Sequence, residues 1–411
     1  MYEPDSVWEF DTADRLKFGT GAADELPEAV ASRDGESVLV LTDEGVEAAG
    51  ILDHILARFE GSDVDASVFA AVEPDPSVDV FEAAVDRVRA VDPDVVVGVG
   101  GGSTLDVTKT TSVLATADGD VLDYVAEPTG GGEPVPGPGL PAIGLPTTAG
   151  TGSETTPVSV ISLPDRDMKV GISSRHQYLD LAVVDPELTV SLPPGPTATS
   201  GIDALSHAVE AYVTRRYDAK ERPETAAERP DYGGRTPLTD QLALTAIERV
   251  GRSLRQAVDN GQDLPARRDM ALGSMTAGMA FGNAGLGATH ALAMAIGAEY
   301  HLPHGATIAA CLPAVMRYNA PGAAGRFRDV AEALGVDTAG LDDRAAADRA
   351  VEAVTALVED VGLGSGLASL GVEESDAARL AEKSARLERL TVGNPRRVDV
   401  EDLETLVRQS L

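Results

Sequence analysis

Over about its first 190 residues the chain alternates short β-rich runs with helical patterns, and this alternation limits the fold more than any other feature. "SVLVLT" (Ser37–Thr42) reads as a buried strand, and "VDVFEAAVDRVRAV" (Val78–Val91) has the apolar spacing of an amphipathic helix. "DVVVGVGGG" (Asp94–Gly102) is a strand running into glycines. "PAIGLPTTAGTGSE" (Pro141–Glu154) is another strand running into a polar turn. Alternation of this kind implies a parallel sheet with crossover helices. "EPTGGGEPVPGPGLP" (Glu127–Pro141) is a loop on its Pro and Gly content. After "VVDPELTVSLPPGPTATSG" (Val183–Gly201) strand signals disappear and long, alanine-rich helical stretches follow. The domains are therefore expected at residues 1–190 (α/β) and 191–411 (all-helical). The polar stretch Arg215–Pro237 reads as a surface insertion between two helices.

Gly100, Gly101, Gly102 and Ser103 stand between a strand and a helix. Adjacent glycines let the backbone approach a ligand closely, and the N–H groups of a helix start suit a phosphate or pyrophosphate. A GxGxxG fingerprint would need glycine where Ser103 stands, so the usual signature is absent. A tight turn without ligand is the alternative. "PTTAGTGSETT" (Pro146–Thr156) gathers Thr147, Thr148, Thr151, Ser153 and two glycines after a second strand. Two such turns at strand C-termini lie on the edge where open α/β sheets bind ligands.

The chain has six histidines, and three of them, His290, His301 and His304, fall in "GATHALAMAIGAEYHLPHG" (Gly287–Gly305). In "GIDALSHAVEAY" Asp203 and His207 are four residues apart on a helical pattern, so both project from one face and form half of a metal site. His290 lies in a further apolar helix. His304 sits between Pro303 and Gly305, which mark a turn into the next helix. A carboxylate with imidazoles and no sulfur suits Fe(II), Zn(II), Mn(II), Ni(II) or Co(II). Taken singly, each could instead be a capping or packing residue.

Charge excludes some partners. The chain has 67 Asp and Glu against 33 Lys and Arg, a net charge of -34, and only five lysines. Such a surface repels nucleic acid, strains the compact state at low salt, and resembles proteins of extreme halophiles. No apolar run reaches the length of a membrane span. The acidic N-terminus lacks an apolar signal core, so a soluble cytoplasmic protein with no membrane partner is expected. Cys311 is the only cysteine, which rules out an internal disulfide and a thiolate metal cage.

The segments "GGGSTLDVTK", "PTTAGTGSETT", "VVDPELTVSLPP", "GIDALSHAVEAY", "AGLGATHALAMAIGAEYHLPHG" and "NPRRVDVEDL" resemble, in order and over nearly the whole chain, the iron-containing (group III) alcohol dehydrogenases. The resemblance implies an N-terminal α/β dinucleotide-binding domain and an all-α metal-binding domain, the plan shared with dehydroquinate synthase. It implies reversible hydride transfer between a nicotinamide cofactor and a small alcohol, aldehyde or ketone, with one divalent metal, Fe(II) or Zn(II), as Lewis acid. By the same resemblance the metal ligands are Asp203, His207, His290 and His304. The cofactor contacts are Gly101, Gly102, Ser103, Asp106, Thr147, Thr148, Thr151 and Lys169. Asp43 on the second strand favours NAD over NADP by taking the adenosine ribose and repelling a 2′-phosphate. A homo-oligomer, at least a dimer, is implied as well.

The sequence departs from the family pattern at Met294, where a histidine four residues after His290 often serves a proton relay. His301 is a candidate replacement, with a surface or packing role as the alternative; no catalytic side chain is otherwise identified. Related activities on the same plan are polyol or glycerol dehydrogenase, maleylacetate reductase and a dehydroquinate synthase-like lyase. The polyol-phosphate and synthase branches generally carry a lysine in the glycine turn or a more basic pocket. Here Ser103 stands in that turn.

Overall fold

The computed structural model describes residues 7–411 except 128, 167, 220–224 and 226–228. It divides into two compact units, Thr12–Leu192 and Pro193–Leu411, the second taking in the N-terminal segment up to Asp11.

Among its described residues the first unit has eight strands: β1 (Leu16–Phe18), β2 (Ser37–Asp43), β3 (Asp65–Val72), β4 (Val95–Gly100), β5 (Ala142–Pro146), β6 (Val158–Leu163), β7 (Met168–Ser173) and β8 (Leu181–Val184). Six form one sheet in the order β1-β8-β5-β4-β2-β3, with every pairing parallel. Alternate residues serve opposite faces. Val38, Val40, Val95, Val97 and Val99 pack with Leu26, Ile55 and Phe59 on one side. Leu39, Leu41 and Val96 pack with Phe81, Val85 and Val107 on the other. A sheet covered on both faces needs continuous apolar strands, which is why these runs are valine-rich and not alternating. The strand order reverses between β2 and β4, so the ends of those strands form the switch point. The helix Gly102–Leu114 lies very close to β4: a Cβ on Gly98 or Gly100 would lie 2.3 Å from the hydroxyl of Thr108 or Thr104.

The passage from β5 to β8 differs from the simple alternation. It is an antiparallel pair, β6–β7, and not a crossover helix. Its sequences "VSVISL" and "MKVGIS" alternate branched and small residues, the period of a strand.

The second unit is helical, with no strand among its described residues and one isolated bridge between Arg216 and Arg235 in the stretch expected as an insertion. That stretch falls partly outside the described residues. The helix Pro237–Asp259 buries Ala243, Ala246, Ile247, Val250, Leu254 and Ala257, the spacing of a single apolar face. A further core joins Leu292, Ile296, Val315, Leu380, Leu403 and Leu406. The N-terminal segment belongs here because Asn283 donates to the carbonyl of Asp11 and accepts from its N–H, both at 2.8 Å. Among the described residues no helix is long and apolar enough to cross a membrane.

One buried ion pair ties the loop after β5 to the Gly102–Leu114 helix. Lys109 donates to the carbonyls of Val158 (2.6 Å) and Ser153 (3.1 Å), and its ammonium lies 3.2 Å from Asp106 Oδ1. Burial pulls the Lys109 pKa down, and the Asp106 carboxylate opposes the shift. Glu154 is buried in the same loop. Burial pushes its carboxyl up to about 7, against the opposing pull of its backbone hydrogen bond and the Lys109 charge. A folded pKa above the unfolded value of 4.5 means that stability is lost as pH rises from that value to about 7. Glu154→Gln should therefore match wild type in urea unfolding below the unfolded pKa. It should become progressively more stable than wild type through that window, by on the order of 3 kcal/mol at the plateau. A pH-independent difference would show that folding leaves the Glu154 pKa unchanged.

Candidate metal centre and nucleotide-binding turns

The helix Pro194–Val213 is buried along its C-terminal two-thirds and carries Asp203, His207 and Glu210 one and two turns apart. His290 is the third residue of the helix Ala288–Tyr300, and His304 the first of the helix His304–Asn319. The fold brings these residues together. The Nε2 atoms of His290 and His304 each lie 3.6 Å from Asp203 Oδ1, and that of His207 lies at 3.8 Å. Ligand atoms of Asp203, His207 and His290 all lie within 4.8 Å of one another. The His207 ring is stacked between those of Phe281, 4.2 Å away, and His290, 4.5 Å away. His304 closes the more open side: its side chain is 32% exposed, against 3% for His290.

Two atoms decide what the cluster can hold. Asp203 Oδ1 and His290 Nε2 are buried and have no hydrogen-bond partner. Unpaired buried polar atoms are costly unless something satisfies them. Burial raises the Asp203 carboxyl pKa, but His207, His304 and His290 outweigh it and hold the group well below the usual carboxylate range. Burial lowers the His290 pKa, yet Asp203 and Glu210 outweigh it and push the imidazole up to about 9. A cation placed among these groups would satisfy both unpaired atoms. One carboxylate oxygen and three imidazole nitrogens, with no sulfur, fit a borderline divalent ion such as Fe(II) or Zn(II).

Glu210 is the residue sequence reasoning missed. Its Oε2 lies 2.6 Å from His290 Nδ1 and accepts from Gly287 N at 3.0 Å, while Oε1 accepts from Thr289 N at 2.7 Å. The available signal was its place on the Asp203 face, seven residues on. Met294 follows His290 by one turn on a half-buried position. His301 is exposed at the C-cap of its helix with φ 52°, a left-handed conformation in which histidine is enriched among non-glycine residues.

In the first unit the two turns are adjacent. Thr147 N donates to the Gly100 carbonyl at 2.9 Å. A Cβ on Gly102 would lie 2.6 Å from Thr151 Cγ2, and one on Gly101 would lie 3.4 Å from Thr148 Cγ2. The helix start at Gly101, Gly102 and Ser103 has no side-chain cap, so its N–H groups remain for a ligand. Asp43, at the end of β2, accepts from Val46 N and Thr104 Oγ1, both at 3.0 Å, which brings it beside the same helix start. Asp106 points inward: its carboxylate accepts from Ser153 Oγ (2.6 Å) and Val160 N (2.9 Å). Lys169 lies on β7 and its ammonium is held 2.5 Å from Asp75.

Residues 13–186 match the iron-containing alcohol dehydrogenase family, and residues 233–411 match the C-terminal region of the Fe-containing alcohol dehydrogenase family. A long-chain-alcohol dehydrogenase 1 of Geobacillus thermodenitrificans is 40% identical over 379 residues, 92% of this chain and 90% of the relative. An NAD-dependent methanol dehydrogenase of Bacillus methanolicus is 34% identical over 96% of this chain and 97% of its own. A crystal structure of 1,3-propanediol oxidoreductase superposes with a TM-score of 0.89 at 33% identity, covering 99% of this chain and all of the other.

Asp203 Oδ1 is shared by all three carboxylate–imidazole pairs of the cluster, so removing its charge tests the site. Asp203→Asn should weaken retention of Co(II) or Zn(II) by on the order of 100-fold or more in competition with a chelator, with the circular dichroism spectrum unchanged. Wild-type retention in this variant would rule the cluster out as a metal centre.

Proposed function

The chain belongs to the iron-containing alcohol dehydrogenase family of metal-dependent alcohol and aldehyde oxidoreductases that use NAD(H), and on that premise we propose how its residues divide the work. Asp203, His207, His290 and His304 hold the metal. The observation that carries this reading is the buried, unpartnered Asp203 oxygen with three imidazole nitrogens within 3.8 Å. A divalent ion bound there supplies Lewis acidity toward an alcohol oxygen, and nicotinamide supplies the hydride acceptor.

The protein supplies position and surroundings. The uncapped N–H groups of Gly102 and Ser103 take the pyrophosphate, with Thr147, Thr148 and Thr151 beside them on the neighbouring turn. Asp106 and Lys109 act from behind by fixing the loop Ser153–Val158 against the helix. Lys169 contacts the cofactor only by exchanging its Asp75 partner for it. Asp43 takes the adenosine ribose hydroxyls and disfavours a 2′-phosphate, so NAD is the preferred cofactor. Phe281 stacks on His207 and keeps that side of the cluster apolar. Met294 cannot carry a proton, and the exposure and left-handed backbone of His301 suit a turn residue. A cytoplasmic setting accords with a single, buried, unpaired cysteine.

The test uses protein stripped with chelator in molar salt and reloaded with Fe(II), Zn(II), Mn(II) or Ni(II). The alcohol panel runs from methanol through long-chain primary alcohols to 1,3-propanediol. Nicotinamide reduction should return only with metal and be lost in His290→Ala. Metal-independent turnover would overturn the reading. With NAD and NADP in parallel, Asp43→Asn keeps the cap but removes the charge. It should lower the NAD:NADP ratio of kcat/KM by about tenfold. An unchanged ratio would remove Asp43 from cofactor selection.

A further inference from the structure

We propose that Glu210 is a positioning residue that fixes His290 in its metal-ligating tautomer while it anchors the helix that carries His290. The proposal rests on the metal-centre reading above.

The chemistry of the contacts fixes the proton. Glu210 is buried, and its two oxygens receive Gly287 N–H, Thr289 N–H and His290 Nδ1. Two of these neighbours are backbone donors, so the carboxylate is surrounded by groups that favour its ionised, acceptor-only form. An ionised carboxylate 2.6 Å from Nδ1 requires the imidazole proton to sit on Nδ1. Nε2 is then the nitrogen that offers its lone pair when a metal replaces its proton, and Nε2 is the buried atom without a partner, 3.6 Å from Asp203 Oδ1. A carboxylate behind a ligating histidine orients the ring and raises its basicity.

The same carboxylate holds the backbone. The helix Ala288–Tyr300 has no side-chain cap from its own N-cap residue, Gly287. Glu210 takes Gly287 N–H and Thr289 N–H instead, and Asn394 Oδ1 takes Ala288 N–H at 3.3 Å. Asn394 is locked in turn by reciprocal hydrogen bonds with Asn319 at 2.8 and 3.0 Å. Ring and backbone of His290 are thus set by one group, and a negative charge at a helix N-terminus is itself favourable. The cradle also accounts for glycine at 287. A Cβ there would lie 2.9 Å from Asn394 Oδ1 and 3.0 Å from Glu210 Oε1.

Glu210→Gln separates the role from simple packing. Its single carbonyl cannot serve both oxygen positions. An amide N–H₂ turned toward His290 would donate to Nδ1, drive the proton to Nε2 and block ligation. In full-length protein, Co(II) affinity by chelator competition should fall 10- to 100-fold, and the Co(II) d–d absorption should change. The metal-free melting temperature supplies the control. Wild-type Co(II) affinity with an unchanged spectrum would overturn the proposal, as would a lowered melting temperature with unchanged affinity, which marks a structural role only. If Glu210→Gln fails to fold, Gly287→Ala displaces the same carboxylate, and wild-type Co(II) affinity there would overturn the proposal. A wild-type protein that binds no more Co(II) than His290→Ala would refute the metal-centre reading itself, a result distinct from a normal wild type beside a normal Glu210→Gln.

Discussion

The helical unit is organised around a carboxylate oxygen that nothing in the polypeptide satisfies. Asp203 Oδ1 lies inside a helix whose neighbouring residues are all buried, and three imidazole nitrogens surround it without a hydrogen bond. An isolated charge in that position is strongly disfavoured unless a partner of opposite sign arrives. Much nearby follows from accommodating it. Phe281 is stacked on one imidazole, Glu210 braces another from behind, and Gly287 leaves room for the brace. The C-terminal segment contributes too, because Asn394 reaches back to the first turn of the His290 helix.

The other unit solves a different problem, that of bringing two strand-end turns together at one edge of a parallel sheet. Gly98 and Gly100 let the Gly102–Leu114 helix settle onto β4, and Gly102 lets Thr151 approach. Lys109 and Asp106 then fasten the second turn from beneath. The cation there is spent on carbonyl oxygens inside the protein. A lysine two turns into the helix after a glycine-rich turn would ordinarily be sought at a phosphate, yet here the chain geometry buries its ammonium.

Local sequence made the elements legible, and long-range contact made the remainder illegible. The valine runs gave β2 and β4, the helical period gave Val78–Val91, and the four-residue spacing put Asp203 and His207 on one face. His290 and His304 needed the family resemblance, because nothing in their spacing says that they meet a helix some 80 to 100 residues earlier. Glu210 escaped because its partner is 80 residues away and its neighbours, "HAVEAY", look like any apolar helix. The β6–β7 pair escaped because two six-residue runs are too short for their strand period to stand out, and nothing local says that they pair. The inward turn of Asp106 could be learned only from its contacts with Ser153 and Val160.

The acidic composition bears on how such a chain binds an anionic dinucleotide. With a net charge of -34, long-range attraction of a pyrophosphate is unavailable. The described lysines offer no remedy: Lys17, Lys109, Lys169 and Lys383 each lie against a carboxylate. In the function proposed above the glycine turn presents neutral donors instead, oriented by the sheet edge and the start of a helix. Backbone hydrogen bonds and helix-end partial charges act within a few ångströms, whereas attraction between separated charges is screened beyond roughly 3 Å at molar salt. A recognition site made of backbone therefore keeps its strength under the conditions in which a highly acidic surface is best tolerated, and a site made of lysines would not.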